Sequence, residues 1–383
     1  MTLKKIMLGA LMVSSAALYS RTVVDVTGVG REKIPVQINV ANQAFAKSLK
    51  KNLEISGLFV VKPSGSIKVA GASGAVTATG NGRTVTSAET FSDDKAARMA
   101  ARRLSDSMCQ AYGNQKGFAC DRIAFVSKKG KTSSELCVCY PDGYDIRQLT
   151  GNGKTVVGPR WKNANTIFYT GIVNAGPQIW EYDCAAGRRN LRWSFKGLTT
   201  GACVSPDGVK AAVILSFQGN PELYVIDMPS GKWVRMTNTP LASEGQPAWS
   251  PDGRKIVYVS DETRHPQLYV IDVATKVKRR LTSKGSQNID PDWGPDGRIA
   301  YITKRGGGQI AIMDPNAGES SVKLVTEPGN WEHPSWSRDS RNLVASRDRA
   351  LFVVDTEMQG DSPAKPSRVF YADGSWITPS WSR

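Results

Sequence analysis

From residue 122 onward, short apolar stretches alternate with turn residues, and no long helical period interrupts this pattern. Residues 255–259 and 268–271 are typical stretches, rich in the β-branched and aromatic side chains that strands prefer. Turns rich in Pro, Asp, Gly or Asn separate the stretches, and these residue types favour reversal of the chain. The pattern predicts an all-β region built from many short strands.

A repeat fixes the architecture of this region. The segment 247–253, Pro-Ala-Trp-Ser-Pro-Asp-Gly, is echoed at 291–297, and weaker copies occur elsewhere. The tryptophans, with one valine, are spaced by 43, 45, 44, 43 and 45 residues, and they are Trp161, Val204, Trp249, Trp293, Trp336 and Trp381. This period is that of one four-stranded propeller blade, so the repeat predicts a β-propeller.

The C-terminus accounts for the number of blades. Residues 122–150 contain three predicted strands but lack a Trp-Ser inner strand of their own, while Trp381-Ser382 is an orphan copy. We expect the C-terminal strand to pair with the first blade, because ring closure removes two exposed sheet edges. The prediction is a six-bladed propeller over residues 121–383.

Residues 21–116 lack this repeat and have a different pattern of apolar and polar positions, which predicts a small α/β domain. Apolar residues at four-residue spacing predict a helix over 43–55, ended by Gly57. Residues 34–40 and 58–61 read as strands, and 66–91 as hairpins. A second helix is expected from a Ser92 cap to about residue 112, with Gly113 as its end.

The first 20 residues have the order of a secretory signal peptide. Two lysines precede an uncharged apolar run over 6–18, which is too short to span a bilayer comfortably. Cleavage after Ala16 and cleavage nearer Ser20 both remain open, and a buried N-terminal helix is the alternative to export. Export predicts a soluble mature protein.

Six cysteines permit disulfides in an oxidising compartment. Cys109 and Cys120 bracket a Gly-containing loop and are the first candidates for a pair, although six cysteines allow 15 connectivities. With only two histidines and no usual ligand spacing, no metal site and no cofactor is expected.

The formal net charge is +16, but no nucleic-acid recognition motif accompanies the scattered basic residues. No nucleic-acid partner is expected. An anionic surface or an acidic partner would account for the charge, and so would simple solubility.

An export signal, a small α/β domain and six Trp-Ser-Pro-Asp-Gly blades together resemble the TolB family, the periplasmic propellers of the Tol–Pal system. The segment 23–29, Val-Val-Asp-Val-Thr-Gly-Val, and the passage 56–59, Ser-Gly-Leu-Phe, add to the resemblance, although the N-terminal domain is shorter than is typical. The resemblance implies a non-enzymatic monomer that binds the peptidoglycan-associated lipoprotein at the propeller mouth. It further implies contact with TolA through the N-terminal segment, a peripheral position at the outer membrane through its partner, and a role in outer-membrane integrity and constriction at cell division.

By this resemblance, the binding residues lie in the segments just before each Pro-x-Trp, at one end of the channel. In this sequence they are Thr200, Gly201, Glu244, Gln246, Asn288, Asp290, Trp331, Glu332, His333, Trp376 and Thr378. The N-terminal switch segment matches Thr22, Val23, Val24, Asp25, Val26 and Thr27.

Two other functions stay open. A propeller hydrolase would need convergent acids, for which Glu244, Asp290 and Glu332 are the mouth candidates, and no Gly-x-Ser-x-Gly elbow occurs. A glycan-binding propeller would use Trp331 and Trp376 as stacking platforms. A regular set of aspartates at the ends of third strands is expected to cap turns rather than to bind calcium or act in acid catalysis, namely Asp183, Asp227, Asp272, Asp314 and Asp355.

Overall fold

The computed structural model describes residues 32–130, 133–151, 153–304, 307–359, 362–363, 365–370 and 374–382. The predicted signal peptide and the predicted switch segment at 22–27 lie outside these residues. Within the described part, no helix is long and apolar enough to cross a membrane.

The N-terminal unit is a five-stranded sheet covered by two helices. Its elements are β1 (Ile34–Val40), α1 (Gln43–Ile55), β2 (Phe59–Val61), β3 (Ile67–Ala72), β4 (Ala75–Gly80), β5 (Arg83–Ser87) and α2 (Asp94–Gly113). The strand order is β2-β1-β3-β4-β5, and β1 runs parallel to both of its neighbours. Phe45 and Leu49 of α1 are fully buried between the layers.

The helix caps differ in detail from the prediction. Asp93, not Ser92, caps α2, because its carboxylate accepts from the Ala96 amide at 2.8 Å. Gly113 is the last helical residue, and Asn114 takes the left-handed conformation after it. The predicted bounds of α1 are confirmed.

Six four-stranded sheets follow, which confirms the six-bladed propeller. Blade 1 holds β6 (Ile123–Lys128), β7 (Ser134–Cys139) and β8 (Arg147–Gln148). Blade 2 holds β9 (Thr155–Asn163), β10 (Thr166–Val173), β11 (Gly176–Asp183) and β12 (Arg188–Trp193). Blade 3 holds β13 (Thr199–Val204), β14 (Lys210–Leu215), β15 (Glu222–Asp227) and β16 (Trp233–Arg235).

The remaining blades keep the same order. Blade 4 holds β17 (Glu244–Trp249), β18 (Lys255–Ser260), β19 (Gln267–Asp272) and β20 (Lys278–Arg280). Blade 5 holds β21 (Gln287–Trp293), β22 (Ile299–Lys304), β23 (Gly308–Met313), a short 3-10 helix (Gly318–Ser321) and β24 (Lys323–Leu324). Blade 6 holds β25 (Trp331–Trp336), β26 (Asn342–Arg347), β27 (Ala350–Asp355) and β30 (Ser367–Arg368), with a small hairpin of β28 (Met358–Gln359) and β29 (Ser362–Pro363) before β30.

The C-terminal strand β31 (Trp376–Trp381) closes the ring. It pairs antiparallel with β6, with Trp376 opposite Ser127 and Trp381 opposite Ile123. The closure predicted from the orphan Trp-Ser copy is therefore confirmed. The innermost strands β9, β13, β17, β21, β25 and β31 contact one another in sequence around a central channel.

The third-strand aspartates cap turns, as predicted. Asp272 accepts from the amides of Ala274 and Thr275 at 3.0 and 2.9 Å, and Asp183, Asp227, Asp314 and Asp355 make equivalent bonds. Because each carboxylate is used within its own turn, these residues serve the fold of each blade.

The N-terminal unit rests on blades 6 and 1, at the end of the channel where the inner strands finish. Arg102 of α2 and Asp142, in the β7–β8 turn, are both fully buried and share hydrogen bonds of 3.0 and 2.9 Å. Asp142 also accepts from Ser48 at 2.6 Å. On blade 6, the Lys51 ammonium donates to the Arg368 carbonyl at 2.6 Å. This placement leaves the opposite end of the channel uncovered by these contacts.

Candidate functional site

A ring of six β-bulges surrounds the end of the channel where the inner strands begin. In every inner strand, the residue three positions before the anchor has a positive φ, between 48° and 67°. These residues are Gly158, Gly201, Gln246, Asp290, His333 and Thr378. The pairing register shifts at each of them, as a bulge requires. We call this end of the channel the mouth.

The backbone at the mouth is strained. Glycine adopts positive φ without cost, but each non-glycine residue there pays about 1–2 kcal/mol. Thr378 is the sharpest case, because a β-branched residue with φ of 48° is a genuine outlier. Strain of this kind persists only where the surrounding structure imposes it, and it clusters at functional sites.

The non-glycine members on blades 4, 5 and 6 form a polar arc, which we define as Gln246, Asp290 and His333. The Gln246 side chain donates to Asp290 Oδ1 and accepts from the Asp290 amide at 2.9 Å. Asp290 Oδ2 accepts from the His333 amide at 3.1 Å, and His333 Nδ1 lies 3.1 Å from Asp290 Oδ1. A single buried carboxylate thus joins three consecutive blades.

Asp290 and His333 shift each other's pKa. Burial alone would lower the pKa of His333, but the charge and the hydrogen bond of Asp290 raise it by more, so the net shift is upward. Burial would raise the pKa of Asp290, and the His333 charge and hydrogen bonds lower it overall. The geometry therefore favours the charged pair.

A cavity of about 380 Å³ opens at the polar arc. Its walls include Glu332 and Lys304 besides the three arc residues. Glu332 is exposed, and His333 is half-buried with 32% of its side chain accessible. This part of the mouth offers a carboxylate and an imidazole to a partner within one recess.

Several other predicted mouth residues have side chains that bond to neighbouring protein groups. Asn288 is fully buried and donates to Gln267 Oε1 at 2.7 Å. Glu244 is buried and accepts from Thr239 and Ser260 hydroxyls at 2.8 and 3.0 Å. Burial raises the pKa of Glu244 to about 7. The Thr200 hydroxyl lies 3.1 Å from that of Thr170. These side chains support the mouth rather than line its recess.

Trp331 and Trp376 are predicted as contact residues of the mouth, but the structure places both side chains in buried positions. Trp331 is 3% exposed and packs against Phe352 with ring centroids 5.6 Å apart. Trp376 is 8% exposed and packs edge-on against Phe370 at 4.6 Å. Both residues begin inner strands and face the space between blades. The stacking platforms assumed for a glycan-binding propeller are therefore missing at these two positions.

The channel interior holds a second recess, of about 330 Å³, beyond the mouth. Arg160 and Asp292 meet across it with an N–O distance of 3.5 Å. Anchor tryptophans, including Trp249 and Trp293, form its walls. The anchors thus contribute to the channel wall as well as to blade packing.

All six cysteines are free thiols in the structure, so the predicted Cys109–Cys120 bond is not formed. The Cys109 thiol lies among the hydroxyls of Ser56 and Ser105, whereas Cys120 lies against the Asp106 carboxylate. Their side chains therefore have different partners. Among the described residues, no group of three or more His, Cys, Asp or Glu side chains is arranged to hold a metal ion.

Comparison with known proteins settles the family. The family model described as TolB beta propeller domain matches residues 110–383. The chain belongs to the TolB β-propeller family. The matched residues contain every bulge of the mouth ring.

Two curated relatives are Tol-Pal system proteins TolB. The protein of Gluconobacter oxydans is 28% identical over 257 residues, which cover 66% of this chain and 57% of that protein. The protein of Polaromonas naphthalenivorans is 29% identical over 101 residues, which cover 26% and 23%. The chain thus spans less than two thirds of the length of these relatives. TolB from Acinetobacter baumannii shares the fold, with a TM-score of 0.79 over 92% of this chain and 97% of that chain, at 23% identity.

The mouth ring was missed by sequence reasoning, although a signal for it existed. Gly158 and Gly201 stand at the same offset from their anchors as Asp290 and His333. Glycine, aspartate and histidine are residue types enriched at positive φ. Their recurrence at one repeat position indicates a left-handed backbone there.

Proposed function

We propose that this chain is a protein-binding scaffold of the Tol–Pal cell-envelope system, exported to the periplasm. Its propeller mouth binds the peptidoglycan-associated lipoprotein and so contributes to outer-membrane integrity and to constriction at cell division. Membership of the TolB β-propeller family supports the assignment to this system. The observation that carries the proposal is the polar arc, a rigid and strained set of polar groups beside an uncovered recess.

The organisation of the chain follows from the same proposal. Residues 1–20 would be the signal peptide, 21–116 the N-terminal domain and 121–383 the propeller. The segment 22–27 would contact TolA.

The mouth suits a projecting segment of a folded protein. A recess of about 380 Å³ accepts a few side chains, and the rest of a partner would rest on the surrounding rim. The exposed Glu332 carboxylate favours donor or cationic groups from the partner. A rigid arc also limits the ordering cost of binding.

The scaffold role is favoured over catalysis. The His333 ring is paired with the Asp290 carboxylate, which also accepts from the Gln246 side chain. Glu244 is buried against hydroxyl groups, away from the recess that Glu332 lines. Glu244 therefore does not join Asp290 and Glu332 in the recess, and the three acids considered for a hydrolase do not converge.

Calorimetric titration with the soluble domain of the same organism's peptidoglycan-associated lipoprotein tests the proposal. We expect saturable binding that weakens by at least about tenfold in Glu332→Lys, because the change reverses the charge at the recess. Glu54→Lys is the matched control, since Glu54 is equally a surface glutamate but lies on α1. Absence of binding, or equal weakening by both substitutions, would contradict the proposal.

A further inference from the structure

The outer edge of the propeller is strongly asymmetric in charge. The hairpins formed by the third and fourth strands of blades 2, 3 and 4 span residues 183–193, 227–235 and 272–280, and together contain nine Lys or Arg residues and three acidic ones. The equivalent hairpins of blades 1, 5 and 6 span 140–148, 314–324 and 355–368, and contain four basic and seven acidic residues. The outer hairpins of three consecutive blades thus carry a net charge of +6, against −3 on the hairpins of the other three blades.

Contacts between neighbouring blades join the three basic hairpins into one surface, which we call the basic rim. Arg192 of blade 2 donates to the Met228 carbonyl of blade 3 at 3.2 Å. Lys276 of blade 4 donates to the Arg235 carbonyl of blade 3 at 3.0 Å. Blades 3 and 4 of the rim lie across the ring from blades 6 and 1, where the N-terminal unit docks.

Apolar side chains are interspersed with the basic ones on this rim. Leu191, Trp233, Val234 and Val277 are 49%, 40%, 49% and 68% exposed. Trp233 is held edge-on against Phe217, with ring centroids 5.2 Å apart. Exposed apolar residues that cluster within a charged surface indicate an interaction site.

Protection of sheet edges against aggregation does not explain the asymmetry. Lysine and arginine on edge strands do prevent pairing between molecules. The outer strand of blade 5, Lys323–Leu324, is also an edge, yet its hairpin carries more acidic than basic residues. If these residues served to protect the sheet edges, polar side chains would also be expected at positions 191 and 277, where leucine and valine stand.

We propose that the basic rim binds the surface of an anionic lipid bilayer. Lysine and arginine near such a surface are attracted to its phosphate headgroups, and apolar side chains gain by entering the boundary between headgroups and acyl chains. A nucleic acid would use the basic residues but would gain little from Leu191, Val234 and Val277. Binding through the rim leaves the mouth free, because the turns of the rim hairpins lie at the opposite end of the blades.

Vesicle co-sedimentation of the full chain tests the proposal, with phosphatidylcholine vesicles that either contain or lack phosphatidylglycerol. We expect binding to the anionic vesicles that weakens with added salt. The double substitution Arg188→Glu, Lys232→Glu should reduce it by at least about tenfold. Both side chains are exposed on the rim. Leu191→Ser, Val277→Ser should also reduce binding, with no change in charge.

The matched control is Lys68→Glu, Lys323→Glu, which reverses two equally exposed charges outside the rim. All variants keep residues 1–31 unchanged, so any vesicle binding by that segment is common to all of them. Equal binding by the control and both rim variants would overturn the proposal. Tight binding to duplex DNA without binding to anionic vesicles would overturn it as well, because the protein would then bind a nucleic acid and not a lipid surface.

Discussion

Replacing Arg102 by methionine is expected to lower the free energy of unfolding by about 3–5 kcal/mol, since it leaves a buried carboxylate without its cation. Arg102 and Asp142 are both fully buried, and the guanidinium also lies 2.8 Å from Asp145 and 3.7 Å from the Tyr140 ring centroid. After the substitution, Asp142 would keep only hydrogen bonds from Ser48, Asn52 and its own turn.

Arg103→Met is the control for this prediction. Arg103 is the next residue of α2 after Arg102, but its side chain pairs with Glu89 at the surface. Loss of this surface ion pair should lower the free energy of unfolding by less than about 1 kcal/mol. Urea unfolding followed by far-ultraviolet circular dichroism reports α1 and α2, while fluorescence reports the tryptophans, all of which lie in the propeller. Equal shifts for the two variants would show that the buried pair does not hold the N-terminal unit in place.

The second large effect is expected at the mouth, where Asp290→Asn should destabilise the protein by about 1–3 kcal/mol. Asparagine keeps the size of the side chain and tolerates positive φ, so the change removes mainly the charge opposite His333. Asp348→Asn is the matched control, because Asp348 also has a positive φ but its side chain is 64% exposed.

The pH dependence of this difference has a definite sign. The pKa of Asp290 is lowered from 3.8, so its contribution to stability is present above that value and is lost as the pH falls. The pKa of His333 is raised from 6.5, so its contribution is present below 6.5 and is lost as the pH rises through the raised value. The difference between wild type and Asp290→Asn should be largest between pH 3.8 and 6.5. A constant difference from pH 4 to 9 would show that the charged pair does not form.

Most of the fold could be predicted from the repeat period. A spacing of 43 to 45 residues between Pro-x-Trp anchors predicts both the blades and, through the orphan copy at Trp381, the closure of the ring. The bounds of α1 also followed from side-chain periodicity, because Phe45, Leu49 and Leu53 mark one face of a helix. These features depend on local pattern, which a sequence displays directly.

The exposure of the mouth residues could not be predicted in the same way. Simple alternation assigns faces along a strand only while the pairing register is constant, and a single bulge changes the face of every residue before it. The bulge at His333 lies between Trp331 and the anchor Trp336, and both tryptophans are buried. The hydrogen bonds that join Gln246 to Asp290 and Asp290 to His333 link residues more than 40 positions apart, and therefore depend on the assembled ring.

Site-specific photo-crosslinking in living cells tests the central proposal most directly. A photoreactive amino acid is placed at position 332, beside the polar arc, or at position 54 on α1 as the control. The account predicts that illumination joins the chain to the peptidoglycan-associated lipoprotein from position 332 and not from position 54. Absence of this adduct at position 332, or equal adducts from both positions, would contradict the assignment of the mouth as the partner-binding site.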